Sequence, residues 1–258
     1  MPMQSLQVDM RGFRKAAVAL STVVAIVCIG YLLRFFLADR NTEMTDEKIR
    51  QITYQASETD DSVNFTKEKW KELHELNPDF IGYMKFDSRI IEQPIVQTND
   101  NKYYLSHSFD NSWNTSGAIF MDSSNQLTDT NLIIYGHNVY YDNTAMFSPL
   151  ERITDEDFLR NNSTLKIWYE MEEVSYQIIY FYSFDTDDYG IYDYQLRNFV
   201  SEEEFDEWIR YVIERNLIQS DTRIGFNDRF ITLQTCRKYD PDHRLIILCK
   251  EISRQKYE

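Results

Sequence analysis

The chain opens on a long apolar run. From Ala16 to Leu33 only Ser21, Thr22 and Gly30 interrupt it, and Phe35-Phe36-Leu37 extends it past Arg34. A helix rising about 1.5 Å per residue needs about 20 apolar residues to cross a hydrocarbon core about 30 Å thick, and this run is long enough. Arg34 can reach back toward the interface with its guanidinium. Arg11, Arg14 and Lys15 precede the run. Positive charge on that side predicts residues 1–15 in the cytosol, a transmembrane signal anchor over 16–37, and the rest of the chain outside. No small-x-small cleavage site follows, and the run is long for the core of a cleaved signal, so the anchor is expected to stay attached.

Polar, acidic sequence follows from Asp39 to Ser62. It predicts a stalk over residues 38–63, helical over Glu43–Ser57. A 3.6-residue period then appears between Asn64 and Leu76: Thr66 suits an N-cap, and Trp70, Leu73 and Leu76 share a face. Asn77-Pro78-Asp79 stops that helix.

From Phe80 the chain reads mainly as strands. Apolar and β-branched segments at Phe80–Phe86, Ile90–Val96, Gly117–Met121, Asn131–His137, Leu165–Tyr169, Val174–Phe184, Phe230–Cys236 and Leu245–Glu251 predict eight of them, several joined by short polar turns. The fold class is therefore mainly β, an eight-stranded barrel or sandwich preceded by N-terminal helices. Two helical insertions interrupt the strands. Thr144–Asn161 predicts one or two short helices. Ser201–Leu217 predicts a longer one, with Ser201 as cap, Glu204 completing a capping box, and Phe205, Trp208, Ile209, Val212 and Ile213 as a core-facing stripe.

Composition narrows the function. The 258 residues suffice for one sizeable domain, residues 64–258, beyond the anchor and stalk. A net charge of −15 argues against a nucleic-acid partner, because phosphate binding needs a basic surface. Three cysteines cannot form a disulfide framework, and their spacing matches no zinc site. Cys28 lies in the apolar run and Cys249 inside a strand, which leaves Cys236 at a polar boundary.

The Cys236 segment carries the candidate chemistry. Phe230–Cys236 is a strand ending on the thiol, Arg237–His243 is a polar loop, and Arg244 opens the next strand. An antiparallel hairpin would put Arg244 opposite Cys236, with Cβ atoms about 4.5–5.5 Å apart. The thiolate is the reactive form of a thiol whose ordinary pKa is about 8.5, and a nearby cation favours it or steadies charge on a reacting carbonyl. The strand Leu132–His137 also ends on a residue that can move protons. Cys236, His137 and Arg244 together suit acyl transfer. Taken singly, each has an ordinary reading: a core thiol, a structural histidine, a solvent-facing arginine. His243 competes for the base role because it lies near Cys236 in sequence. His74 and His107 read as surface histidines, and Asp122 as a turn former.

The joint pattern resembles the class B sortases, membrane-anchored cysteine transpeptidases of Gram-positive bacteria. Their Thr-Leu-x-Thr-Cys signature stands here as Thr232-Leu233-Gln234-Thr235-Cys236, and their histidine segment as Ile134-Tyr135-Gly136-His137-Asn138. Gly117–Asp122, Met146–Leu150 and the helix Ser201–Leu217 are also similar, so the likeness runs from about Asn64 to Ile252. It implies a sortase-type barrel with the long helix between strands 6 and 7. It implies Cys236 as nucleophile through a thioacyl intermediate, His137 as general acid/base, and Arg244 on the substrate carbonyl or oxyanion. Gln234, Thr235 and Asn138 are candidates for substrate contact; family members commonly have serine where this chain has Gln234. Tyr189 and Tyr192, in the acidic run Asp185–Asp193, are candidates for a groove wall.

The implied partners are secreted proteins bearing a C-terminal sorting motif, with an amine of a peptidoglycan precursor (lipid II) or a pilin lysine as acceptor. No metal or organic cofactor is implied. The expected location is the cell membrane, single-pass, with the catalytic domain outside. Three readings compete with wall attachment: pilin polymerisation, a papain-type cysteine hydrolase, and a tethered barrel that only binds peptide. The hydrolase fits poorly, since its cysteine precedes its histidine in the chain and opens a helix.

Overall fold

The computed structural model describes residues 10–54, 65–187 and 195–256. Tyr189 and Tyr192 lie outside the described residues, as do parts of the predicted stalk.

The first element is α1, Met10–Thr53, and the second is α2, Lys67–Leu76. The α1 stretch Arg11–Arg34 is long and apolar enough to cross a membrane, and none of it is buried by the rest of the chain. The far end of α1 is held. Ile49 and Thr53 are buried, Thr45 Oγ1 donates to Asp110 Oδ2 at 3.0 Å, and Lys69 Nζ donates to the Thr53 carbonyl at 3.1 Å. Thr66 caps α2 by accepting from Lys69 N, and the helix buries Leu73 against the domain.

Eight strands follow: β1 Phe80–Phe86, β2 Glu92–Val96, β3 Ile119–Met121, β4 Asn131–Tyr135, β5 Thr164–Trp168, β6 Glu172–Asp185, β7 Phe230–Arg237 and β8 Asp240–Lys256. They close into a barrel in the order β1-β2-β3-β4-β7-β8-β6-β5. The pairings β2–β3 and β4–β7 are parallel and the others antiparallel. Closure removes the sheet edges that would otherwise invite association. The insertion expected over Thr144–Asn161 is a 3-10 turn, Ser148–Arg152, and α3, Glu156–Asn161. The long helix between strands 6 and 7 is α4, Glu202–Arg215.

The period of two sorts each strand into an inner and an outer face. Inside the barrel lie Leu132, Ile134, Ile231, Leu233, Leu245, Ile247 and Cys249, closed at one end by Phe147, Leu150 and Ile153. Outside, α4 covers Phe230, Ile246 and Leu248 with Phe205, Trp208, Ile209 and Val212. A third cluster joins Ile49 and Leu73 to the outer faces of β1 and β2.

Three local expectations are corrected. Ile213, expected on the core stripe of α4, is 49% exposed, because Val212 already fills the inward position of that turn. Ser201 caps α4 through Glu204 N, but the Glu204 carboxylate accepts from Val200 N at 2.7 Å, one residue before the cap. The loop expected over Arg237–His243 shrinks to a turn at Lys238-Tyr239, with Tyr239 at φ 63°. Residues 240–243 continue β8: Asp240 pairs with Arg237 of β7, and His243 pairs with Asp185 of β6.

Phe205→Ala, which empties a site packed by Phe199, Trp208 and Phe230, should cost about 3–5 kcal/mol in urea unfolding. Ile213→Ala should stay within about 0.5 kcal/mol. Equal losses for the two would contradict the packing of α4.

Candidate active site

The inner residues of β7 are Ile231 and Leu233, so Gln234 and Cys236 fall on its outer face. The same count along β4 turns Tyr135 outward, and His137 lies two residues further on. On β8, Leu245 and Ile247 point inward, so Arg244 is outward too. Register then assembles them. Tyr135 pairs with Gln234 across the parallel β4–β7 ladder, and Cys236 pairs with Arg244 across β7–β8. Helix α4 covers the Phe230 end of this outer face and leaves the Cys236 end open.

A pocket of about 380 Å³ occupies the open end. Cys236, His137 and Arg244 all line it, with Gln234 and Thr235 from β7. Its other walls are Asn101, Leu105, Phe120, Tyr135, Gly136 and Gln195. The structure therefore brings His137 to a pair, Cys236 and Arg244, that lies about a hundred residues further along the chain. Cys236, His137 and Arg244 are each half-buried. Such partial shelter leaves reactive atoms reachable while keeping out much of the surrounding water.

Local contacts fix the histidine. The carbonyl of Leu105 accepts from His137 Nε2 at 2.9 Å, and Phe147 N donates to the His137 carbonyl at 3.0 Å. Gly117 has φ 61°, and a Cβ there would lie 2.3 Å from the Tyr104 carbonyl and 3.2 Å from His137 Cδ2, so a side chain is excluded. At Gly136 a Cβ would meet the Phe147 ring at 2.7 Å. Arg244 is anchored in part by NH1 donating to the His243 carbonyl at 3.2 Å.

Asn138 is placed otherwise than a pocket-wall residue. Its Nδ2 donates to the Cys236 carbonyl at 3.1 Å and to Glu151 Oε2 at 2.6 Å. It thereby ties the histidine segment to the cysteine strand. Asp122 does not contact His137. Its Oδ2 accepts from Tyr135 OH at 2.8 Å and Asn101 Nδ2 at 2.7 Å, so it holds two side chains of the pocket wall. His243 sits on the hairpin, with Nδ1 3.0 Å from Asp240 and Nε2 4.0 Å from Asp185, and is not a pocket residue. His107 stacks on Tyr103 at 4.1 Å. His74 lines a larger cavity of about 640 Å³ beside α2 that contains no cysteine.

Sequence reasoning missed Asn101, Leu105, Phe120 and Gln195 as pocket residues. Tyr135 was within reach, because it shares a face with His137 at a spacing of two. Gln195 stands at the described border of the acidic, tyrosine-rich run. Among the described residues, no group of three or more His, Cys, Asp or Glu side chains is placed to hold a metal ion. The arrangement can form and break an acyl bond: a thiol to attack, an imidazole to carry a proton, and a fixed cation opposite the sulfur.

The sortase-domain family model matches residues 84–252. Sortase B of Listeria monocytogenes is 33% identical over 174 residues, covering 66% of this chain and 68% of that protein. Sortase B of Staphylococcus aureus is 26% identical over 236 residues, covering 89% and 93%. Among solved structures, Clostridium perfringens sortase B superposes with a TM-score of 0.65 at 30% identity, covering 71% of this chain and all 100% of that one. A Staphylococcus aureus sortase B crystal structure reaches 0.70 at 23% identity, covering 85% and 99%, a likeness of fold.

Two outcomes follow from this geometry. A thiol reagent should modify Cys236 and spare Cys249, which is fully buried and whose thiol pKa burial pushes up. Peptide mapping by mass spectrometry reads both sites, and equal labelling would contradict the burial. Asn138→Ala should lower stability by about 1–3 kcal/mol by unpairing the Cys236 carbonyl and Glu151. A thermal melt matching wild type would show that the bridge carries no load.

Proposed function

The chain belongs to the sortases, and within them to the class B cysteine transpeptidases; from that premise we propose that it cleaves a C-terminal sorting signal on secreted proteins and joins the new terminus to an amine of the peptidoglycan precursor. The observation that carries this reading is that Cys236, His137 and Arg244 line one and the same open pocket.

In the proposed sequence, the Cys236 thiolate attacks the carbonyl carbon of the scissile bond. The oxygen gains negative charge, which the Arg244 guanidinium stabilises. The tetrahedral species collapses, the C–N bond breaks, and the departing amine takes a proton from His137. A thioacyl intermediate remains on Sγ. An acceptor amine then enters, gives a proton to His137 and attacks the same carbon, and the C–S bond breaks to return the thiolate. Each turnover exchanges one amide for another.

Gln234, Asn101 and Gln195 supply amide groups suited to holding an extended peptide across the pocket, while Thr235, its hydroxyl buried, packs beneath them. Asn138, tied to Cys236 and Glu151, positions the catalytic segments. Tyr189 and Tyr192 remain proposed wall residues. The proposed topology keeps residues 1–15 in the cytosol, anchors the chain through 16–37, and sets residues 38–63 as a spacer before an extracellular domain from 64 to 258.

Fluorogenic sorting peptides tested with and without an amine acceptor check the reading. Cys236→Ala should abolish cleavage. His137→Ala should slow it about 10²- to 10⁴-fold, and Arg244→Ala about 10²- to 10³-fold. Product carrying the amine supports transfer to an acceptor. Product appearing only as free acid, or cleavage surviving Cys236→Ala, would defeat the proposal.

A further inference from the structure

A set of aromatic and basic groups on one side of the domain plays no part in the pocket. They follow one another through a chain of contacts that starts on α1. At the outer end of the apolar stretch, the Arg34 guanidinium lies 5.6 Å from the centroid of the Trp113 ring. Two and three residues beyond Trp113, the hydroxyls of Thr115 and Ser116 lie 3.3 and 3.2 Å from Tyr141 OH. Next to it, Tyr140 meets Tyr239 edge-on with ring centroids 4.8 Å apart, and Lys238 Nζ stands 5.9 Å over the Tyr140 ring. Tyr140, Tyr141 and Tyr239 are 64%, 69% and 74% exposed, and Arg237 is exposed beside them.

From these contacts we infer that this face, built by the loop carrying Trp113, the loop carrying Tyr140 and Tyr141, and the β7–β8 turn, rests on the outer surface of the lipid bilayer. The inference relies on the anchored topology proposed above and adds an orientation to it. An arginine ending an apolar span sits at headgroup level. Whatever packs on Arg34 is therefore at that level too, and here that is Trp113. Trp and Tyr are the side chains that settle at this depth, with an apolar ring and a polar edge, and lysine and arginine favour the anionic headgroups beside them. The domain cannot swing freely away from the helix, because Thr45, eleven residues past Arg34, is bonded to Asp110 in the same loop as Trp113. That loop also supplies the Leu105 carbonyl to His137, and Tyr239 lies three residues from Cys236. The pocket mouth therefore opens beside the membrane, where an acceptor carried on a lipid is presented.

Vesicles of phosphatidylcholine and phosphatidylglycerol test this with the full chain. The apolar stretch contains no tryptophan, Trp168 and Trp208 are buried, and Trp70 packs on Phe80. Trp113 is therefore the reporter. Lipids brominated near the top of the acyl chain should quench the wild type, quench Trp70→Phe equally, and lose that quenching in Trp113→Phe. A triple change of Tyr140, Tyr141 and Tyr239 to serine, with Trp113 kept, should also reduce the quenching while leaving cleavage of a soluble peptide unchanged, which shows that the fold survives. A chain that floats with the vesicles but shows no quenching that depends on Trp113 overturns the inference and leaves the anchor standing. A chain that does not float overturns the anchor itself. Crosslinks between copies through Tyr239, with Trp113 unquenched, would assign the face to a second copy instead.

Discussion

The parallel ladder between β4 and β7 is the constraint on which the site depends. Cys236 and Arg244 come together by a local hairpin, eight residues apart. His137 reaches them only because β4, about a hundred residues earlier, lies in register with β7, Tyr135 beside Gln234. A slip of one residue would turn His137 to the opposite face, since side chains alternate. Parallel pairing between distant segments carries a loop-closure cost that local contacts do not.

Polar bonds hold that register at both ends. Near the start of the ladder, Thr232 Oγ1 donates to Asn131 Oδ1 at 2.9 Å, and Asn131 Nδ2 donates to the Leu196 carbonyl at 2.8 Å. These groups are buried, so leaving them unpaired in a slipped register would be costly. At the far end Asn138 bonds the Cys236 carbonyl. Between the two, Asp122 fixes Tyr135. Burial of the apolar interior drives collapse, while the buried amides and carboxylate select one alignment.

Much of this was legible in the residues. Eight apolar segments, the Thr66 and Ser201 caps and the thiol at a strand end all carry local signals, and the strands form close to where those signals lie. The hairpin was legible in kind but not in length, because part of what extends it, the pairing of His243 with Asp185, involves the distant strand β6. The Ile213 position depended on the exact rotation of α4 against the sheet, which a run of two adjacent apolar residues leaves ambiguous. Asn101, Leu105 and Gln195 were illegible for a different reason. Asn101 and Gln195 sit on loops and Leu105 ends a short 3-10 turn, where no periodicity marks a side chain as facing inward, and Leu105 contributes its carbonyl, a group every residue has.

The reactive sulfur stands on the convex side of the barrel, while the concave side is packed solid. A cleft on the outside of a closed cylinder has no floor at which a chain end must arrive. A polypeptide can lie across it broadside and continue past in both directions. The aliphatic filling of the cylinder, meanwhile, owes nothing to the identity of the cargo, and the walls of the cleft are free to diverge without disturbing it.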